Sequence, residues 1–141
     1  MDQNEVFERL IKMKKLIIKI NKMINPDIDN LNTTDIFIFM KIADNEGITM
    51  TKLSEITGFS STMITFTVDE LEKLSIVERK RGNDRRSQTL TLTEKGKSLK
   101  NEIKKLTQEK FSEFMKNIGE EKKAELIKLF DRIFEIFEKI K

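Results

Sequence analysis

Apolar residues along this chain recur mostly at helical spacing. Val6, Leu10, Met13, Ile17, Ile20 and Ile24 follow three- and four-residue steps and predict a helix over 4–24. Phe7, Ile11, Leu16 and Ile18 widen its stripe past one face, so this helix needs neighbours on two sides. Asn25-Pro26-Asp27 stops it, because a residue before proline is pushed out of the helical region. Asn32 then caps a helix through about Asp44, with Asp35 completing a capping box and Ile36, Phe39, Met40 and Ala43 inward. Asn45-Glu46-Gly47 ends it, and Ile48-Thr49 leaves room for a minimal strand against the hairpin that follows. Thr49 caps a short helix to Thr57 with Leu53 and Ile56 inward. Gly58-Phe59 breaks the pattern. Ser60 opens a further helix to about Lys73, with Met63 or Ile64, Val68 and Leu71 on one side.

The period then shortens. Ile76–Arg81 and Gln88–Thr93 are β-prone runs around Gly82-Asn83-Asp84-Arg85-Arg86, whose Gly and Asn suit a hairpin turn. Thr93 caps a helix from Glu94 to about Asn117, and Gly119 separates it from a last helix, Glu120–Ile140. There Leu126, Phe130, Ile133, Phe137 and Ile140 alternate steps of four and three, as in a coiled-coil seam. Ile127, Leu129, Phe134 and Ile136 broaden it. A monomer with one small lobe covers two such wide stripes poorly, and intertwining with a second copy covers them better.

Helix, turn with Gly, helix, then basic hairpin is a winged helix-turn-helix. The expected fold class is mainly α: a winged helix-turn-helix with long N- and C-terminal dimerisation helices and a two-stranded β wing. LNTTDIFIFMKIAD at 31–44, MTKLSEITGFSSTMITFTVDELEKLSIVER at 50–79, DRR at 84–86 and LTLTEKGK at 90–97 carry a resemblance to the MarR family of transcriptional regulators. The resemblance implies a DNA-binding lobe over 31–97. It also implies a dimer built from the first and last helices with part of the fifth, over 1–30 and 98–141. Three positions depart from the family pattern. Ser75 stands where Gly is usual, Phe66 where Arg is frequent, and the wing is about one residue shorter.

Charge sharpens this picture. The net +3 hides an acidic stretch, residues 27–72, with nine acids and two bases. Residues 79–105 carry ten bases and three acids. A limited positive surface beside an acidic belt fits oriented contact with a polyanion rather than a general basic coat. Arg79, Lys80, Arg81, Arg85 and Arg86 face one local acid, Asp84. With no Cys and no His, disulfides, thiolate metal sites and the usual general base are excluded. No metal site and no cofactor are expected. No apolar run approaches the roughly 20 residues that span a bilayer. A soluble, cytoplasmic protein with no membrane partner is expected. Glu120/Glu121 and Asp69/Glu70 are adjacent pairs on polar helix faces, so no catalytic residue is expected.

The candidate DNA contacts are therefore Thr49, Thr51 and Lys52 at the start of the supporting helix, where free N–H groups attract phosphate. They continue with Ser60, Ser61, Thr62 and Thr65 on the recognition helix. On the wing they are Lys80, Arg81, Asn83, Arg85 and Arg86. Capping competes with DNA contact for Thr49 and Ser60, and core packing competes with thymine contact for Phe66. The family resemblance implies that Asp84 and Arg86 brace the wing while Arg85 enters the minor groove. Leu10, Ile17, Leu126, Phe130, Ile133 and Phe137 are the candidate dimer contacts. The function expected is a homodimeric repressor of a pseudo-palindromic operator, and the family resemblance implies relief by a small-molecule effector bound between the dimer helices and the DNA-binding lobe, whose identity the sequence leaves open. The competing reading is a winged-helix protein–protein module that uses the acidic belt.

Overall fold

The computed structural model describes residues 2–28, 30–82 and 87–140. In order these form α1 (Gln3–Ile24), α2 (Thr33–Asp44), β1 (Ile48–Thr49), α3 (Met50–Thr57), α4 (Ser61–Lys73), β2 (Val77–Lys80), β3 (Thr89–Leu92), α5 (Glu94–Met115) and α6 (Glu120–Glu138). The starts follow the cap residues. Asn32 and Asp35 form a reciprocal capping box, with bonds of 2.8 and 3.1 Å. Thr49, Ser60 and Thr93 each accept a backbone N–H from the first turn of their helix.

The wing is part of a three-stranded antiparallel sheet in the order β1-β3-β2, rather than a two-stranded ribbon. Val77 pairs with Leu92 and Lys80 with Thr89, while Ile48 pairs with Leu90 across the other edge of β3. Two residues are too few to cover that edge. Where β1 gives out, the Glu46 carboxylate accepts the Leu92 N–H at 2.9 Å and leaves no edge donor unpaired there.

One core fills the space between α2, α3, α4, the sheet and the first half of α5. Ile38, Phe39 and Ile42 of α2, Leu53 of α3, Ile64, Val68 and Leu71 of α4, Leu90 of β3, and Ile103 of α5 are essentially inaccessible. Because α2 touches α3, α4, β3 and α5 at once, it buries Ile38 and Ile42 as well as the single stripe its sequence suggested. One expected core position lies outside: Ile56 is exposed, at the edge of the stripe that Leu53 presents. Of the alternatives Met63 and Ile64, Ile64 takes the inward place and Met63 is exposed.

Neither α1 nor α6 buries a single residue. α1 lies along α5 yet leaves Val6, Phe7, Leu10, Leu16, Ile17 and Ile18 in solvent. No helix or strand packs extensively along α6 among the described residues. Phe130, Phe134 and Phe137 stand exposed there, and Leu126 and Ile133 are only half-buried.

Candidate nucleic-acid interface

The helix-turn-helix is set by two left-handed residues. Gly58 (φ 76°) closes α3, where glycine adopts this conformation without penalty. Ser75 (φ 62°) closes α4. Its N–H donates to Glu72 O at 2.9 Å and the following Ile76 N–H to Leu71 O at 3.2 Å. Those two bonds make a Schellman motif with serine in the position glycine usually fills.

The LTLTEKGK segment locks this exit in place. The Thr93 hydroxyl accepts from Gly96 N at 3.0 Å and donates to Ser75 O at 2.6 Å. Lys95 Nζ donates to Leu74 O at 3.0 Å. Gly96 is required by contact: a β-carbon there would overlap the Ile76 carbonyl oxygen. The start of α5 is thus seated on the turn that joins the recognition helix to the wing.

α4 presents Ser61, Thr62, Thr65, Phe66 and Asp69 around a shallow surface hollow. All five are exposed. Phe66 is 67% exposed, so core packing does not account for it. The hydroxyls are not equally free. Ser60 caps α4 by accepting from Met63 N at 3.1 Å. Thr65 donates back to Ser61 O at 2.8 Å, which leaves it only as an acceptor outward. Ser61 and Thr62 extend into solvent on the first turn.

Thr49 is likewise engaged as the cap of α3, accepting from Lys52 N at 3.1 Å. Thr51 is exposed beside it, and the exposed Lys52 ammonium lies 3.6 Å from Glu55. On β2, Arg79 departs from the expected row of wing cations. It turns back to α4, pairing with Asp69 and placing Nε 2.6 Å from Glu72 Oε1, and is only 20% exposed. Sequence spacing hides this, because the partners are one element away and meet only when the hairpin folds against α4. Lys80 and Arg81 remain exposed where the hairpin leaves the sheet. Asn83, Asp84, Arg85 and Arg86 lie outside the described residues.

A second feature was not legible in any one segment. The end of α1, one side of α2 and the middle of α5 line an open pocket of about 480 Å³. Ile24, Ile36, Phe37 and Met40 give it an apolar wall, with Asn21 and Lys104 among several polar groups. Among the described residues no group of His, Cys, Asp or Glu could hold a metal ion, and no helix is long and apolar enough to cross a membrane.

Residues 19–103 match the family model of the transcriptional regulators SarA and Rot. The chain belongs to the SarA/Rot family of transcriptional regulators. That match covers the end of α1, the whole winged helix-turn-helix and the start of α5. The regulator SarZ of Staphylococcus epidermidis is 34% identical over 98 residues, 69% of this chain and 65% of SarZ. This chain therefore spans just under two thirds of that relative's length. A MarR-like regulator from Thermotoga maritima superposes with a TM-score of 0.67 at 26% identity, covering 99% of both chains. FabT of Streptococcus pneumoniae, solved in complex with DNA, has the same fold, with a TM-score of 0.71 at 20% identity over 99% of this chain and all of FabT. The resemblance to MarR regulators is borne out. Family members are regulators of transcription, and the protein–protein module finds no support among these relatives.

Proposed function

We propose that this SarA/Rot-family chain is a cytoplasmic repressor that binds a pseudo-palindromic operator as a homodimer. The observation that carries the reading is the exposed first turn of α4, Ser61 and Thr62, set beside a hairpin that carries Lys80 and Arg81 outward. The helix enters a major groove, and the wing reaches the flanking phosphates and minor groove. Thr51 and Lys52 approach the backbone from the start of α3. Asn83, Arg85 and Arg86 extend the wing's contacts, with Asp84 bracing it. FabT, a fold neighbour, was solved with DNA.

The dimer joins α1, α6 and part of α5, through Leu10, Ile17, Leu126, Phe130, Ile133 and Phe137. Their exposure in the single chain supports it. The pocket between α1, α2 and α5 is the place for a small effector with an apolar body and a polar or anionic end toward Lys104. It sits between α1 and α5 of the dimer region and α2 of the DNA-binding lobe, so an occupant can bias how the two recognition helices are spaced.

Fluorescence anisotropy with a duplex selected from a random pool, against an unselected duplex, tests the reading. We expect preference for the selected duplex and a steep fall in affinity with salt. Lys80→Ala with Arg81→Ala should flatten the salt slope by about 2, one for each phosphate the wing no longer neutralises. No preference and no salt dependence would rule out DNA binding.

A further inference from the structure

We infer that Phe66 reads sequence by packing on thymine C5-methyl groups in the major groove. The inference rests on the DNA-binding reading above and deepens it. Across the recognition helix, Ser61–Lys73, there is no Arg, Asn or Gln, and the only base is Lys73 at its far end. The bidentate pairings that identify guanine and adenine are therefore unavailable on this helix. Asp69 could accept from cytosine, but it is held by Arg79. Thr65 has spent its proton on Ser61 O, and Ser60 is occupied as the cap. Two hydroxyls, on Ser61 and Thr62, remain free both to donate and to accept, Thr65 can still accept, and hydroxyls take either partner and discriminate weakly.

Against that thin polar inventory stands Phe66, the most exposed large apolar side chain of α4, well ahead of Met63. Phe66 lies in the same hollow as Ser61, Thr62 and Thr65, and two thirds of its surface is exposed. A ring held in water on a helix surface serves no packing purpose in the folded lobe. In the major groove the sole apolar feature of a base-pair edge is the thymine methyl. The cations of the wing lie on the adjoining element, so the same docking that places them on phosphate brings α4 to the base edges. Phe66 is thus the residue best placed to tell thymine from cytosine.

The full-length protein is used to select duplexes from a random pool. The selected duplex is then remade with deoxyuridine for thymidine in each half-site, which removes the methyl and leaves the pairing intact. Binding of the parent chain should weaken about fourfold for each methyl that Phe66 buries. Phe66→Ala should bind the thymidine and deoxyuridine duplexes alike, and Phe66→Leu should keep part of the difference. Circular dichroism should be unchanged in both variants because the ring is exposed. Equal affinity of the parent for both duplexes would overturn the inference while leaving DNA binding intact. Full discrimination by Phe66→Ala would overturn it too, by assigning the effect to duplex shape. A chain that enriches no duplex would overturn this inference and the DNA-binding reading together.

Discussion

Phe39 in α2 and Phe130 in α6 both lie on the apolar stripe of an amphipathic helix, yet Phe39 is fully buried and Phe130 is 45% exposed. The same contrast holds for the regions around them. The lobe from α2 to the start of α5 closes on itself, with Ile38, Leu53, Ile64, Leu71 and Leu90 sealed. The terminal helices have equally regular spacing and bury nothing. Periodicity therefore reports that a face is apolar and not what covers it. In the lobe the cover is intramolecular: α2 touches four other elements and leaves only Phe37 of its large apolar residues exposed. For α1 and α6 the cover we propose is a second copy, and the two kinds of burial answer differently to perturbation and to protein concentration.

The largest effect should come from the terminal helices. Deleting 120–141, or the single change Ile133→Asp, should give an aggregating or unfolded chain rather than a clean monomer, with operator binding abolished. An obligate dimer often has no stable folded protomer. Sedimentation of the parent at micromolar concentration should show a dimer. A well-behaved monomer there would make the exposed faces of α1 and α6 a property of the working protein, and the contrast with the lobe would be one of solvation alone.

Phe39→Ala comes next, at about 3–5 kcal/mol of unfolding free energy. The loss should be the same at low and high protein concentration, because the cavity it leaves is inside one chain. Phe130→Ala should instead shift the unfolding midpoint more at low concentration than at high. Urea unfolding at two concentrations separates them, and parallel behaviour of the two variants would erase the distinction between the regions.

Arg79→Met tests a link inside the lobe at a smaller scale. The carboxylates of Asp69 and Glu72 keep access to water although Arg79 is mostly covered, so each pair contributes about 1 kcal/mol and stability should fall little. Loss of the brace frees the wing to reorient against α4, and DNA affinity should fall more than stability does. Equal small losses in both would make Arg79 merely a surface pair.

These residues also show where the sequence is informative. Asn32, Thr49, Ser60 and Thr93 are short polar side chains that act within one turn of themselves, so their helix starts can be read from neighbours alone. Helix order and the winged layout follow from those starts. Arg79 falls among the wing cations in sequence because its partners, Asp69 and Glu72, are reached only through the fold. Ile56 and Met63 sit at the edges of a helical stripe, and tertiary contact decides which edge is covered. The third strand is visible as two β-branched residues with room to pair against the wing, and it pairs there with β3, beside the edge that Glu46 also serves. The pocket draws residues from α1, α2 and α5, which no local pattern connects. The site residues of the wing tip rest on the sequence alone.

The smallest effect concerns Ser75. A left-handed backbone disfavours a side chain by roughly 1–2 kcal/mol relative to glycine, and serine bears that at φ 62°. Glycine gives part of this back by its greater freedom in the unfolded chain. Ser75→Gly should therefore stabilise the protein by about 0.5–1 kcal/mol, with no dependence on protein concentration. The backbone bonds that define the turn, from Ser75 N to Glu72 O and from Ile76 N to Leu71 O, survive the change. So does the Thr93 bond, which uses the Ser75 carbonyl and not its side chain. Operator affinity should consequently stay within about twofold of the parent, since the turn geometry between α4 and the wing is kept. A gain in stability that grew as the protein was diluted would place Ser75 in the coupling between protomers. A loss of stability would mean that the Ser75 side chain makes a contribution larger than the strain it bears, and the lobe would then owe its closure to more than backbone geometry at this turn.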